Sequence, residues 1–371
     1  MGHGLKHPGD LVAWRRWHES RHPVRFAARA ARARMRPPAQ AYVDLLTPLS
    51  DADVLVAVEA THASVANAVV APLTHLSPER TAIVAPVAWQ PPAAYARHRR
   101  RTIDLRGLLG LRGIRTVLAA GHYTEIGATA FALAEEHRST FFVSQHGALT
   151  PFAPPLPRAA HLLAWSEHDG GFWTAGRQDV RVSVTGSQLL WGAGLGFDTG
   201  AGRPAQPATS AGRPARPATS AGRPAQPATR PLTYLGQGHA AEISRARLAR
   251  AALTTCREHG AVYRPHPSEG DVTSRAVLAA YARAGITIDT SGVPLVDLEA
   301  PVVSVFSTGV LEAAARGRDA WVDFPHPPAW LGEFWERYAM HRLGTLPTPP
   351  PDRPEHEPAR RIAELVTEAA S

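Results

Sequence analysis

Two α/β domains in tandem, each a Rossmann-like βαβ unit and the two facing a cleft, are the fold class this sequence predicts. Three observations predict it. Short, almost wholly apolar runs alternate with helical stretches over the first half of the chain, and runs this continuous suit strands covered on both faces, hence a parallel sheet. The rhythm then stops at residues 201–230, where three ten-residue units (AGRPAQPATS, AGRPARPATS, AGRPAQPATR) follow one another. It restarts at residue 232. A length of 371 residues suits two domains of ordinary size.

In chain order, DVLVAVEA (53–60), TAIVAPVA (81–88), IRTVLAAG (114–121), TFFVSQ (140–145), HLLAWS (161–166) and VRVSVTG (180–186) read as strands. Residues 63–73 and 124–137 read as helices between them. After the repeats, LTYLGQG (232–238) is a strand and its loop, 241–258 a helix ended by Gly260, AVYR (261–264) a strand, 273–284 a helix and ITID (286–289) a strand. VVSVF (302–306) then leads into a helix over 308–316 with Gly317 at its end, and AWVDF (320–324) is the last strand. The repeat unit holds two prolines and no large apolar residue, so it belongs to a solvated spacer. The organisation expected is a basic N-terminal arm (1–40), an acceptor domain (41–198), the repeat linker (199–230), a nucleotide-donor domain (231–345) and a Pro-rich segment with a C-terminal helix (346–371).

Composition excludes several chemistries. Forty Lys plus Arg include a single lysine, Lys6, so the chain holds no lysine-ended phosphate loop and no core lysine for a Schiff base. One cysteine, Cys256, excludes an internal disulfide and any multi-cysteine metal site. Residues 1–10 carry no apolar core of a secretion signal, and no run of 18 apolar residues occurs, so a cytoplasmic location is expected. Eight arginines against Glu19 between Arg15 and Arg36 supply +7 of the net +8. Arg25, Arg29, Arg32 and Arg36 would share a helix face, with Trp14 and Trp17 upstream. Peripheral association with an anionic membrane surface through residues 11–36 is the expectation. No specific nucleic-acid partner is expected, since the rest of the chain is nearly neutral.

In open α/β sheets ligands sit at the carboxyl ends of the strands. There the second half places Gly236-Gln237-Gly238, then Arg264-Pro265-His266-Pro267, then Ser307-Thr308-Gly309 opening a helix that carries Glu312. Prolines on both sides fix His266 for a hydrogen bond, and a helix N-terminus with two hydroxyls is an anion site that needs no lysine. Glu312 stands one turn into a helix of small residues and is no capping-box acid for either hydroxyl; it suits ribose hydroxyls. In the first half His146 precedes Gly147 at a strand end and is the candidate general base, with Glu59 and His122 as rivals in equivalent positions. Asp51 and Asp53 imitate an Asp-x-Asp metal motif but precede their strand, so they read as a turn.

YRPHPSE at 263–269 followed by SVFSTGVLEAAARG at 304–317 resembles the donor half of two-domain glycosyltransferases of the B type. Bacterial CDP-glycerol glycerophosphotransferases and capsule polysialyltransferases are the nearest in character, and the strand ending in Gln-His-Gly is also similar to them. The resemblance implies that His266, Ser307 and Thr308 hold donor phosphates, that Glu312 holds the ribose and that His146 is the base. It implies a metal-independent, cofactor-free transferase moving a sugar or polyol phosphate from a CMP-, CDP- or UDP-linked donor. The acceptor would be a lipid-linked or polymeric cell-envelope polysaccharide or a teichoic-like chain. A nucleotide-sugar 2-epimerase of the same fold, and an arginine-rich nucleic-acid-binding or scaffold protein, are the alternatives.

Overall fold

The computed structural model describes residues 4–21, 41–60, 62–198, 231–238 and 240–371. The arginines at 25, 29, 32 and 36, and the three repeats, lie outside the described residues.

The first half is one eight-stranded sheet: β1 (Tyr42–Thr47), β2 (Val54–Ala57), β3 (Thr81–Pro86), β4 (Arg99–Asp104), β5 (Thr116–Ala119), β6 (Thr140–Ser144), β7 (His161–Ala164) and β8 (Arg181–Val184). Their order is β4-β1-β3-β2-β5-β6-β7-β8. Neighbours from β3 to β8 run parallel, and β1 is antiparallel to both β3 and β4. Leu55, Val56 and Ala57 are wholly buried, as a strand covered on both faces requires. The sequence pattern did not reveal β1 and β4. β4 reads RRRTID and is mostly exposed, so it has no apolar run to detect; its arginines also guard a sheet edge against further pairing. The buried Asp44 on β1 secures this edge, accepting from Thr102 Oγ1 (2.7 Å), the Ala88 amide (2.9 Å) and Arg100 (3.2 Å).

The second sheet is parallel throughout, in the order β10-β9-β11-β12: β9 (Thr233–Leu235), β10 (Val262–Arg264), β11 (Val302–Ser304) and β12 (Ala320–Val322). The strand expected at 286–289 reduces to one parallel bridge, Ile288 to Tyr263.

The helices are α1 (Leu11–Arg21), α2 (Ala63–Val65), α3 (Glu125–His137), α4 (Glu167–Thr174), α5 (Gln188–Asp198), α6 (Arg245–His259), α7 (Val272–Arg283), α8 (Thr308–Ala315), α9 (Ala329–Arg337) and α10 (Pro358–Ala370). α2 continues as a π turn (Ala66–Val70) and a 3-10 turn (Ala71–Thr74), where Pro72 brings no N–H to the ladder. Gly260, at φ 60°, closes α6 as expected. α10 returns to the first half: Ile362, Ala363 and Val366 pack with Val56, Ile83 and Leu118 of its sheet. α1 also joins the body. Trp14 Nε1 donates to the Phe152 carbonyl (2.8 Å) and Trp17 stacks on Phe152 (4.7 Å), so the two tryptophans of the expected membrane arm are spent on protein contacts. Among the described residues no helix is long and apolar enough to cross a membrane.

The halves meet along the loop after β6. The Ala148 amide donates to Thr308 Oγ1 (3.1 Å), and the Leu149 amide donates to Tyr338 Oη (2.7 Å). Tyr338 Oη in turn donates to the buried Asp169 of α4 (2.7 Å). Arg337 bonds the Leu149 carbonyl and lies 3.7 Å over the Phe172 ring. Asp169 also accepts from Gln145 Nε2 (2.8 Å), so one carboxylate links α4, the β6 loop and the second half. Tyr338→Phe should therefore destabilise the protein by about 1–3 kcal/mol, because a buried carboxylate oxygen and the Leu149 amide both lose their partner. Chemical denaturation of the wild type and the variant measures this, and an unchanged midpoint would show that the clasp is not what joins the halves.

Candidate active site

The first-half candidates sit where the strand-end rule puts them. Glu59 follows β2, residues 121–124 join β5 to α3, and His146-Gly147 follows β6. Thr124 caps α3, its hydroxyl accepting from the Gly127 amide (3.0 Å). Gly127 has to be glycine: a Cβ there would overlap the Gly121 carbonyl and Glu59 Oε1, so only glycine lets the helix start this close to the carboxyl.

Glu59 Oε1 accepts from the Gly121 amide (3.2 Å), while Oε2 is buried with no hydrogen-bond partner. Burial pushes its carboxyl up to about 7, and bonds from Thr124 and the Gly121 amide offset only part of that rise. Tyr123, whose hydroxyl is raised by burial and then by Glu59, stands next to it. Its Oη lies 3.3 Å from His146 Nε2, with the two rings stacked at 6.4 Å. His146 Nδ1 is also buried without a partner. Desolvation, with a smaller contribution from His62, lowers the His146 imidazole to about 4. Glu59, Tyr123 and His146 thus form one group. His122 does not join it. That ring packs edge-on against Phe131 of α3 (5.5 Å) and is lowered to about 4 by burial, then by Arg15 and Arg177.

Across the junction, Ser307 caps α8, its Oγ accepting from the Gly309 amide (3.1 Å). Thr308 Oγ1 accepts from Ala148, which leaves its own O–H to donate elsewhere. His266 Nδ1 accepts from the Ser268 amide (3.1 Å), an arrangement that puts the proton of the neutral ring on Nε2. Burial, then His62, lowers this imidazole too. His146 and His266, from opposite halves, therefore share His62 as an electrostatic neighbour. Gln237 is a brace: its Oε1 accepts from the Phe306 amide (2.8 Å) and Ser304 Oγ (3.1 Å), tying the loop after β9 to the loop after β11. Arg264 pairs with Asp289 (2.9 Å) and bonds the Val293 carbonyl. Glu312 is 9% exposed and pairs with Arg316 (2.7 Å). Gly236, Gly238 and Pro267 shape the loops around these groups, the Gly238 amide donating to the buried Glu269 (2.8 Å).

Sequence reasoning missed Tyr123, His62 and Glu269. Glu269 accepts from Tyr263 Oη (2.9 Å) and from Gly238, while its amide donates to the His266 carbonyl (2.8 Å), so it links the two glycine-flanked and proline-flanked loops. Its signal was present as the last letter of YRPHPSE. Tyr123 and His62 had none, because only the fold brings them to the other groups. A small recess adjoins Glu269, lined also by Tyr234, Arg245, Tyr263 and Ser274, within the second half. Asp53 pairs with Arg80. Among the described residues no three His, Cys, Asp or Glu side chains are grouped so as to hold a metal ion.

No family model matches the chain, and no curated protein matches it. Among solved structures, an O-GlcNAc transferase mutant from Thermobaculum terrenum is similar, with 14% sequence identity and a TM-score of 0.41. The match covers 87% of this chain and 64% of that one, so this chain spans less than two thirds of that structure's length.

The electrostatics fix a pH signature. Glu59 titrates higher in the folded chain (about 7) than unfolded (4.5), so its contribution to stability is lost as pH rises through that window. His122 and His146 titrate lower when folded, so their contribution is lost as pH falls from 6.5 towards 4. Glu59→Gln should remove the first slope alone. Relative to the variant, the wild type should lose about 3 kcal/mol between pH 4.5 and 8. Urea denaturation of both across that range is the measurement, and parallel curves would contradict a carboxyl held near 7.

Proposed function

We propose that this chain is a transferase that moves a sugar or polyol phosphate from a nucleotide-activated donor to a hydroxyl of a cell-envelope polysaccharide or teichoic-like acceptor. One observation carries the reading. The loops at the carboxyl ends of two sheets abut at Ala148 and Thr308, so the start of α8 meets the loop that carries His146, and His146 and His266 share His62 as an electrostatic neighbour; this supports the reading. The start of α8, the Thr308 hydroxyl and the His266 imidazole form a donor set for phosphate oxygens.

The chemistry follows from those positions. Charge developing on the departing nucleotide is met by His266, Thr308 and the first turn of α8. The acceptor hydroxyl gives its proton to a base of the first half. Glu59 suits that role better than His146, because a carboxyl near 7 is matched to neutral pH, whereas an imidazole near 4 is neutral but weakly basic. In this reading His146 and Tyr123 orient the acceptor hydroxyl beside Glu59. Glu312, bonded to Arg316, keeps the role of ribose acceptor through its remaining lone pairs.

A thermal-shift series with CMP, CDP, UDP, GDP and their sugar or polyol conjugates tests the donor. A ligand at 100 times its dissociation constant adds about 2.7 kcal/mol, and stabilisation by none of them would overturn the reading. With a donor in hand, His266→Ala should lower turnover by about 10²-fold. Glu59→Gln should abolish transfer while the donor still stabilises the fold. A product formed without any acceptor would assign the chain to epimerisation instead.

A further inference from the structure

The N-terminal segment is tied to the same loop that joins the halves. Leu5 is buried in the first core and the Lys6 amide donates to the Pro151 carbonyl (2.8 Å). Trp14 Nε1 donates to the Phe152 carbonyl (2.8 Å), and Trp17 stacks on the Phe152 ring (4.7 Å), which meets Trp330 of α9 edge-on (5.7 Å). At the far end of α1, Arg21 Nε donates to the Ala241 carbonyl of the second half (2.8 Å). α1 therefore spans both halves at the cleft.

Beneath it lies the catalytic group. The Trp14 ring meets the Tyr123 ring edge-on at 5.8 Å, and Tyr123 Oη is the hydrogen-bond partner of His146 Nε2. Trp14 has little freedom, since its indole N–H is bonded and His18 stacks on its other side at 5.3 Å. We propose that α1 is a built part of the active cleft and that Trp14 is a positioning residue, acting through Tyr123 to hold His146 in its dry, hydrogen-bonded place. The role assigned to His146 rests on the transferase reading; the physical link does not.

The titratable and charged groups around this contact are Glu59, His62 and Tyr123 near His146, with Arg15 and His18 on α1 and Arg177 near His122. The test is histidine side-chain NMR on the full unliganded chain, with His146 assigned from a His146→Gln variant. In the wild type His146 stays neutral to about pH 4. In Trp14→Ala water reaches Tyr123, and the His146 midpoint should rise by at least about one pH unit towards 6.5. Trp14→Phe keeps the ring edge and should restore the wild-type midpoint. Trp14→Leu, whose side chain is too short to cover the Tyr123 ring and so admits water too, gives the same reading should the alanine variant not fold. Once a donor is known, Trp14→Ala should lower kcat about tenfold with the donor KM unchanged. A His146 midpoint unchanged in folded Trp14→Ala or Trp14→Leu overturns the proposal. The midpoint needs no substrate, so failure to find a donor would count against the transferase reading and leave this one standing.

Discussion

The structure turns on the buried carboxylate of Asp169. It is 1% exposed, burial raises its proton affinity, and bonds from Gln145 and Tyr338 with the nearby Arg337 oppose that rise. A carboxylate this deep is tolerated only with partners, and these come from two places, the β6 loop and the end of α9. Gln145, held by Asp169, also donates to the Gly147 carbonyl (3.1 Å) and accepts from the Trp165 amide (2.9 Å). One charge thus fixes the β6 loop on one side and the end of α9 on the other.

That loop explains why the two sheets meet through their strand ends. A buried connection must satisfy its backbone polar groups, and this one does so with foreign partners. Ala148 uses Thr308, Leu149 uses Tyr338 and Arg337, and the carbonyls of Pro151 and Phe152 use the N-terminal segment. Thr150 reaches Glu242 of the second half (3.3 Å). The second half supplies the partners of residues 148–150, and the N-terminal segment those of Pro151 and Phe152. The same residues that join the halves therefore also set the loop that carries His146 against Thr308 at the start of α8.

Electrostatic character in the cleft follows from dryness more than from charge pairing. Desolvation is the largest cause at Glu59, His122, His146 and His266. It raises the carboxyl and lowers the imidazoles, bringing all four towards neutrality.

How much was legible follows the same division. Strands covered on both faces, such as VLVA and TFFVS, announce themselves because burial on two sides leaves no polar position. The proline-flanked His266 and the Ser-capped α8 were equally readable, since both are local features of backbone and cap. β1 and β4 were not, because an edge strand such as RRRTID owes its conformation to its neighbour rather than to its own pattern. The sequence by itself determined two α/β halves, the parallel strands of each and the residues at their ends. Only the tertiary structure decided that Tyr123 joins Glu59 to His146, that His122 turns away, that Thr308 spends an acceptor site on Ala148, and that the tryptophans of α1 lie on the cleft. The physical reason is that these outcomes depend on contacts between residues far apart in the chain, and burial of their polar atoms is set by whichever element packs over them.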